Sequence, residues 1–293
     1  MNEEQLGRYV EGSAGPLWVW RVGVGRPVVL CDGGPGHTGY IEGLAAHIAG
    51  EGCAVYRFHQ RGVGHSPAAA SYTIADFIAD LEAIRIHFDL DRWLVGGHSW
   101  GAALALAYCL AHRDRTTGLL YISGTGVDPA WHDAYHRNRL TRLGPEGRQK
   151  FEDLRTERAQ AQGADLDRVN RELANLLRPT EFARADRTAY LPDPDHRPSH
   201  VVNAAAATDW EDLIRRRDLF SEARQLDIPA LVVHGEADPR EARFAAQLAD
   251  SLPGGRFAVI ADAGHFPWIE QPHATYSVIR AFLDDLEEPG HDP

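Results

Sequence analysis

The chain has 293 residues, 44% of them apolar and 25% charged, enough for one large α/β core with an insertion. Its 42 acidic and 30 basic residues give a formal net charge of -12, which argues against a nucleic-acid partner and against anionic membranes or substrates. The opening Met1-Asn2-Glu3-Glu4 has no signal-peptide pattern and no apolar run approaches the ~20 residues of a membrane span, while Cys31, Cys53 and Cys109 are an odd, widely spaced set that fits reduced thiols in a cytoplasmic protein.

Tyr9 to Glu11 and Leu17 to Val22 predict an opening antiparallel hairpin turning over Gly12 to Pro16. Apolar runs then predict strands at 28–31, 54–58, 93–96, 118–123, 230–234 and 257–260, with helical segments near 38–50, 74–88, 100–112, 240–251 and 273–287 between and after them. Such alternation means a mostly parallel sheet, here eight-stranded, with helices on both faces. From 127 to 224 the strand runs vanish, and Arg148 to Gln162 and Leu166 to Arg178 have the pattern of charged amphipathic helices. The expected organisation is a core over 1–126 and 225–293, interrupted by a helical cap over 127–224 that roofs a site. The tail from Pro289 to Pro293 is expected to fray.

Chemistry concentrates where strands end. The strand at 28–31 runs into Asp32-Gly33-Gly34-Pro35-Gly36-His37, where glycines let a backbone come close to a ligand. The strand at 93–96 runs into Gly97-His98-Ser99-Trp100-Gly101, a serine between two glycines at a strand-to-helix turn, which has the form of a nucleophile elbow. A nucleophilic serine needs two amides for the oxyanion: that of the following residue, Trp100, and one from an earlier loop, for which Gly33-Gly34 is suited. Further on, Asp238 follows the strand at 230–234 and His265 follows the strand at 257–260, in the chain order nucleophile, acid, base. Serine needs an imidazole to take its proton, and the imidazole needs a carboxylate to fix its tautomer. Glu236 and Asp262 compete with Asp238, and His37, His59 and His98 with His265, among 15 histidines; Cys31 is a rival nucleophile, placed inside its strand.

Three motifs, Asp32-Gly33-Gly34-Pro35-Gly36, Gln60-Arg61-Gly62-Val63-Gly64-His65-Ser66 and Gly97-His98-Ser99-Trp100-Gly101, resemble the proline iminopeptidase-like group of α/β-hydrolases over roughly residues 15–125 and 225–285. The resemblance implies that Gly34 and Trp100 supply the oxyanion amides and that the cap chooses the substrate. It also has departures: Asp32 stands where histidine is usual, His59 where aspartate is usual, and Pro239 follows Asp238 in place of an acidic residue. Aminopeptidase members hold a free amine with cap glutamates; Glu181, Asp209, Glu211 and Asp212 are the candidates here, with solvated surface charge as their ordinary alternative. Gly33, Trp131, Tyr135 and Trp210 are the expected substrate-binding residues, with Phe182 and Tyr190 as further aromatic candidates and internal packing as the alternative for the aromatics. The expected function is a cofactor-free, metal-free serine hydrolase that cleaves a small ester, amide or lactone through an acyl-enzyme. A true proline iminopeptidase and a non-catalytic ligand-binding member of the fold are the alternatives.

Overall fold

The structure, a computed structural model, describes residues 6–190 and 198–286, so the expectations for Met1-Asn2-Glu3-Glu4 and for the tail from Pro289 lie outside the described residues. Eight strands form one sheet: β1 (Arg8–Gly12), β2 (Gly15–Val22), β3 (Arg26–Cys31), β4 (Cys53–Phe58), β5 (Trp93–His98), β6 (Thr116–Ile122), β7 (Pro229–Gly235) and β8 (Gly254–Ile260). Their order across the sheet is β1-β2-β4-β3-β5-β6-β7-β8. The first two strands are antiparallel to their neighbours and all later pairs are parallel.

The two-residue period of a strand explains why the central strands read as continuous apolar runs. Val29, Val95, Leu119, Tyr121 and Val232 enter a core shared with helices α2 (Ile74–His87) and α3 (Trp100–Ala111) on one face. Their neighbours Val28, Leu94, Leu120, Ile122 and Leu231 enter a second core on the other face. There they meet α1 (Glu42–Gly50), and a C-terminal helix over Pro272–Asp285.

Between β6 and β7 lie α4 (Trp131–Arg158), α5 (Gly163–Leu177), a 3-10 turn at Arg178–Glu181, α6 (His200–Arg216) and α7 (Leu219–Ala223). The predicted helix at 148–162 is the second half of α4, which starts at Trp131 and bends at Gly144 (φ 67°) before Pro145, where an ordinary helical path breaks. The predicted helix at 38–50 starts only at Glu42, because residues 32–41 form a loop held by bonds from Gly33 to Tyr40 and from Gly36 to Gln60. After β7 come α8 (Ala242–Ser251), then, past β8, a short α9 (Pro267–Glu270), and the C-terminal helix is α10. Among the described residues no helix is long and apolar enough to cross a membrane.

Candidate active site

Ser99 joins β5 to α3 with φ 58° and ψ -121°, a conformation that side chains rarely adopt and that a sharp turn imposes. The turn closes because Gly97 and Gly101 have no Cβ: one on Gly97 would strike the Gly101 carbonyl, and one on Gly101 would strike the carbonyls of Cys31 and Asp32. The Ser99 N–H donates to Ile122 O at 2.9 Å, which fastens the elbow to the end of β6. Trp100 is the first residue of α3, so its amide has no partner within the helix and stands at the helix's positive end.

Asp238 and His265 follow β7 and β8 and meet in the interior. His265 Nδ1 donates to Asp238 Oδ2 at 2.7 Å, which leaves Nε2 as the basic atom of that ring. Ser99, Asp238 and His265 are 7%, 5% and 4% exposed. Asp238 Oδ1 also accepts from the Arg240 amide at 2.8 Å and from Arg240 Nη1 at 3.3 Å. Burial pushes the Asp238 carboxyl up, but His265, Arg240 and His234 outweigh it and hold the group well below the usual carboxylate range. The competing acids Glu236 and Asp262 are exposed. Burial raises the Cys31 thiol far above its ordinary value, so it stays protonated inside β3. His59 Nδ1 accepts from the His65 amide at 2.9 Å and so holds the loop after β4.

The glycine-rich loop crosses directly over the elbow: a Cβ on Gly33 would lie 2.7 Å from Ser99 Cβ. Gly33 N–H donates to Tyr40 Oη at 2.7 Å, so that amide is engaged and Gly33 serves by close approach rather than by donating to a substrate. Gly34, at φ 49°, is the next amide along. Gln60 bridges the loop, donating to Asp32 O at 2.9 Å and accepting from the Gly36 amide at 3.0 Å. Asp32 is buried against Arg57 at 2.7 Å, a carboxylate–guanidinium pair; burial outweighs Arg57 and pushes the Asp32 carboxyl up to about 6.

The helical segment after β6 adds a second set of charges. Glu181 O accepts from the His265 amide at 2.7 Å, and its carboxylate receives Arg240 Nη1 at 2.6 Å and Tyr135 Oη at 2.7 Å, with Arg139 Nε at 3.3 Å. Tyr135 thus stands beside the candidate triad, and the Arg240 guanidinium lies 4.1 Å from the centre of its ring. Trp131 packs 5.9 Å from Tyr135, Phe182 stacks on Phe266 at 5.1 Å, and Trp210 is buried in the core below, its Nε1 3.4 Å from Thr125 Oγ1. The side chain of Tyr190 lies outside the described residues. Of the four acidic candidates only Glu181 comes to the site. Asp209 accepts from the Ile74 amide at 2.7 Å, while Glu211 and Asp212 pair with Arg215. One oxygen or nitrogen each of Glu181, Asp238 and His265 lie within 4.8 Å of one another, but the cation among those carboxylates is Arg240.

Arg240, Tyr40 and Glu270 escaped sequence reasoning. Glu270 accepts from the amides of Gly264 and Ala183 at 2.6 and 3.0 Å, and so ties the loop of His265 to the segment after the 3-10 turn. Only Arg240 left a signal, a basic residue two positions after Asp238.

A family model described as the alpha/beta hydrolase fold matches residues 26–272, and the chain belongs to that family. Its sequence is 28% identical over 259 residues to the proline iminopeptidase of Lactobacillus delbrueckii subsp. lactis, an alignment that covers 84% of this chain and 85% of the relative. The crystal structure of a proline iminopeptidase of Mycobacterium smegmatis is similar at a TM-score of 0.70 with 19% identity, over 96% of this chain and 98% of that one. A thermophilic esterase from Thermogutta terrifontis is similar at 0.63 with 23% identity, over 96% and 99%. The chain is a hydrolase similar to proline iminopeptidases in sequence and to both peptidases and esterases in fold.

Proposed function

We propose that the chain is a serine hydrolase working through an acyl-enzyme, with Ser99 as nucleophile, His265 as base and Asp238 as the group that orients and charges the base. The observation that carries this reading is the 2.7 Å bond from His265 Nδ1 to a buried Asp238, which leaves Nε2 to take a proton, on a loop adjoining an elbow serine at positive φ. In the mechanism, Ser99 Oγ attacks a substrate carbonyl as His265 Nε2 takes its proton. The oxyanion that forms is held by the amides of Gly34 and Trp100, and the imidazolium is stabilised by Asp238. His265 then returns the proton to the leaving group; in the second step water, deprotonated by the same nitrogen, attacks the acyl carbon, and the proton passes to Ser99 Oγ as its bond to the acyl group breaks. Removal of the hydroxyl in Ser99→Ala lowers kcat by roughly 10⁴-fold or more with an unchanged circular dichroism spectrum. A purified mutant that kept over a tenth of the turnover would remove Ser99 from the mechanism.

The substrate is a small ester, amide or lactone with a neutral acyl group. A free α-ammonium in a desolvated site needs a carboxylate to itself, and Glu181 is already matched by Arg240, Arg139 and Tyr135. A p-nitrophenyl butyrate is therefore cleaved with higher kcat/KM than the p-nitrophenyl ester of free proline. The sequence relatives favour the second reading, a true proline iminopeptidase. A tenfold preference for the free amine, about 1.4 kcal/mol, that disappears in Glu181→Ala would establish it. Cytoplasmic residence is supported by three buried cysteines, none of them in a disulfide.

A further inference from the structure

The oxyanion loop, the elbow and the loop of the base come from three distant stretches of chain, and one line of buried hydrogen bonds joins them. Gly33 N–H reaches Tyr40 Oη at 2.7 Å, Tyr40 Oη lies 2.8 Å from His98 Nδ1, and His98 Nε2 lies 2.9 Å from the main-chain oxygen of His265. The two ends fix every direction, because a main-chain N–H only donates and a carbonyl oxygen only accepts. His98 therefore carries its proton on Nε2 and donates to His265 O. Its Nδ1 accepts from the Tyr40 hydroxyl, whose oxygen accepts from Gly33. Both side chains are buried, and no polar atom of either is left without a partner.

The line also fits its electrostatic surroundings. Burial draws His98 well below its ordinary value, and neighbouring His265 and Arg240 draw it further, so the neutral form required by this pattern is the one present. The His98 ring centre is 4.5 Å from that of His265, and a neutral neighbour adds no repulsion when His265 takes up a proton. Burial raises the Tyr40 hydroxyl, which keeps its proton available to His98.

We infer that Tyr40 and His98 are positioning residues: the chain they form sets the oxyanion loop against the loop of the base, so that the Gly34 amide and His265 Nε2 address the same substrate carbonyl. The inference rests on the reading of Ser99, His265 and Gly34 given above. A displacement of about 1 Å between such groups is enough to lower turnover about a hundredfold while substrate still binds.

Tyr40→Phe removes one oxygen and cuts the line at its middle. The expected result is a 10- to 100-fold fall in kcat, with KM within about twofold, and an equal fall in affinity for an alkyl boronic acid that mimics the oxyanion. His98→Gln keeps an amide N–H for the His265 carbonyl and turns over at least about tenfold faster than His98→Leu, which has none. Titration with a fluorophosphonate sets each rate per folded site, so a loss of stability alone does not register as a loss of kcat. Tyr40→Phe with kcat and boronic acid affinity within twofold of wild type would overturn the inference. Equal rates in His98→Gln and His98→Leu would do the same, and this pair decides the matter if Tyr40→Phe does not fold. An inactive Ser99→Ala beside a fully active Tyr40→Phe removes only the positioning chain, whereas an active Ser99→Ala removes the catalytic reading beneath it.

Discussion

The carboxylate of Glu181 lies near both Asp238 and His265, where a second negative charge would ordinarily disturb their pairing. Burial pushes it up, but Arg240 and Arg139 outweigh burial and bring it from 4.5 down to about 2. Because the folded value lies below the unfolded one, the unfolded chain binds the extra proton. The stabilisation is complete above about pH 4.5 and is lost as pH falls through about 2. Glu181→Gln is therefore less stable than wild type at pH 5 and above, by at most about 3 kcal/mol, and the gap closes between pH 4.5 and 2. Thermal unfolding of the two proteins from pH 2 to 7 measures it. A gap of constant size across that range would mean that the charge of Glu181 does not stabilise the fold.

At the scale of elements, α6 is the strut between the helical segment and the core. Its capping residue Ser199 donates its amide to Gly36 O at 2.9 Å, and Asn203 Nδ2 donates to Pro35 O at 2.9 Å, so it rests on the glycine-rich loop after β3. Lower down, Asp209 accepts from the first amide of α2, a helix whose start is already closed by the reciprocal Thr73–Asp76 capping pair. Asp209→Ala removes that charged contact at a helix N-terminus, costs about 1 kcal/mol and lowers Tm by about 2–4 °C. The ratio of butyrate to proline ester cleavage stays unchanged. A shift in that ratio without a change in Tm would instead put Asp209 at the substrate.

Across the whole molecule, what the sequence made legible is what strands and turns record locally. Val28 to Cys31, Trp93 to Gly96 and Ala230 to His234 announce buried strands, and each is followed by a loop that contributes to the site. The Ser99 elbow carries its own signature in Gly97 and Gly101, since steric closeness leaves only one residue type possible. Pairings between distant side chains leave no period to detect. The Arg240 bond to Glu181 spans 59 positions, and the Asp209 bond to the Ile74 amide spans 135. Tyr40 lies within a segment whose pattern predicts helix, and His98 is only one of several histidines near strand ends; its two hydrogen bonds depend on elements that the turn itself does not specify.

The helices between β6 and β7 leave and rejoin the sheet at adjacent strands, which are paired from Leu119 with Ala230 to Ile122 with Val233. Closing a longer or shorter excursion between two such fixed neighbours changes the chain entropy only logarithmically. The sheet can thus inherit a different excursion without altering its own register, and the loops that carry Ser99, Asp238 and His265 are handed down intact. The freedom has one boundary. Glu181 O receives the His265 amide and Glu270 receives the Ala183 amide, so any transplanted excursion that omits the stretch from Arg178 to Ala183 orphans buried donors and acceptors beside His265.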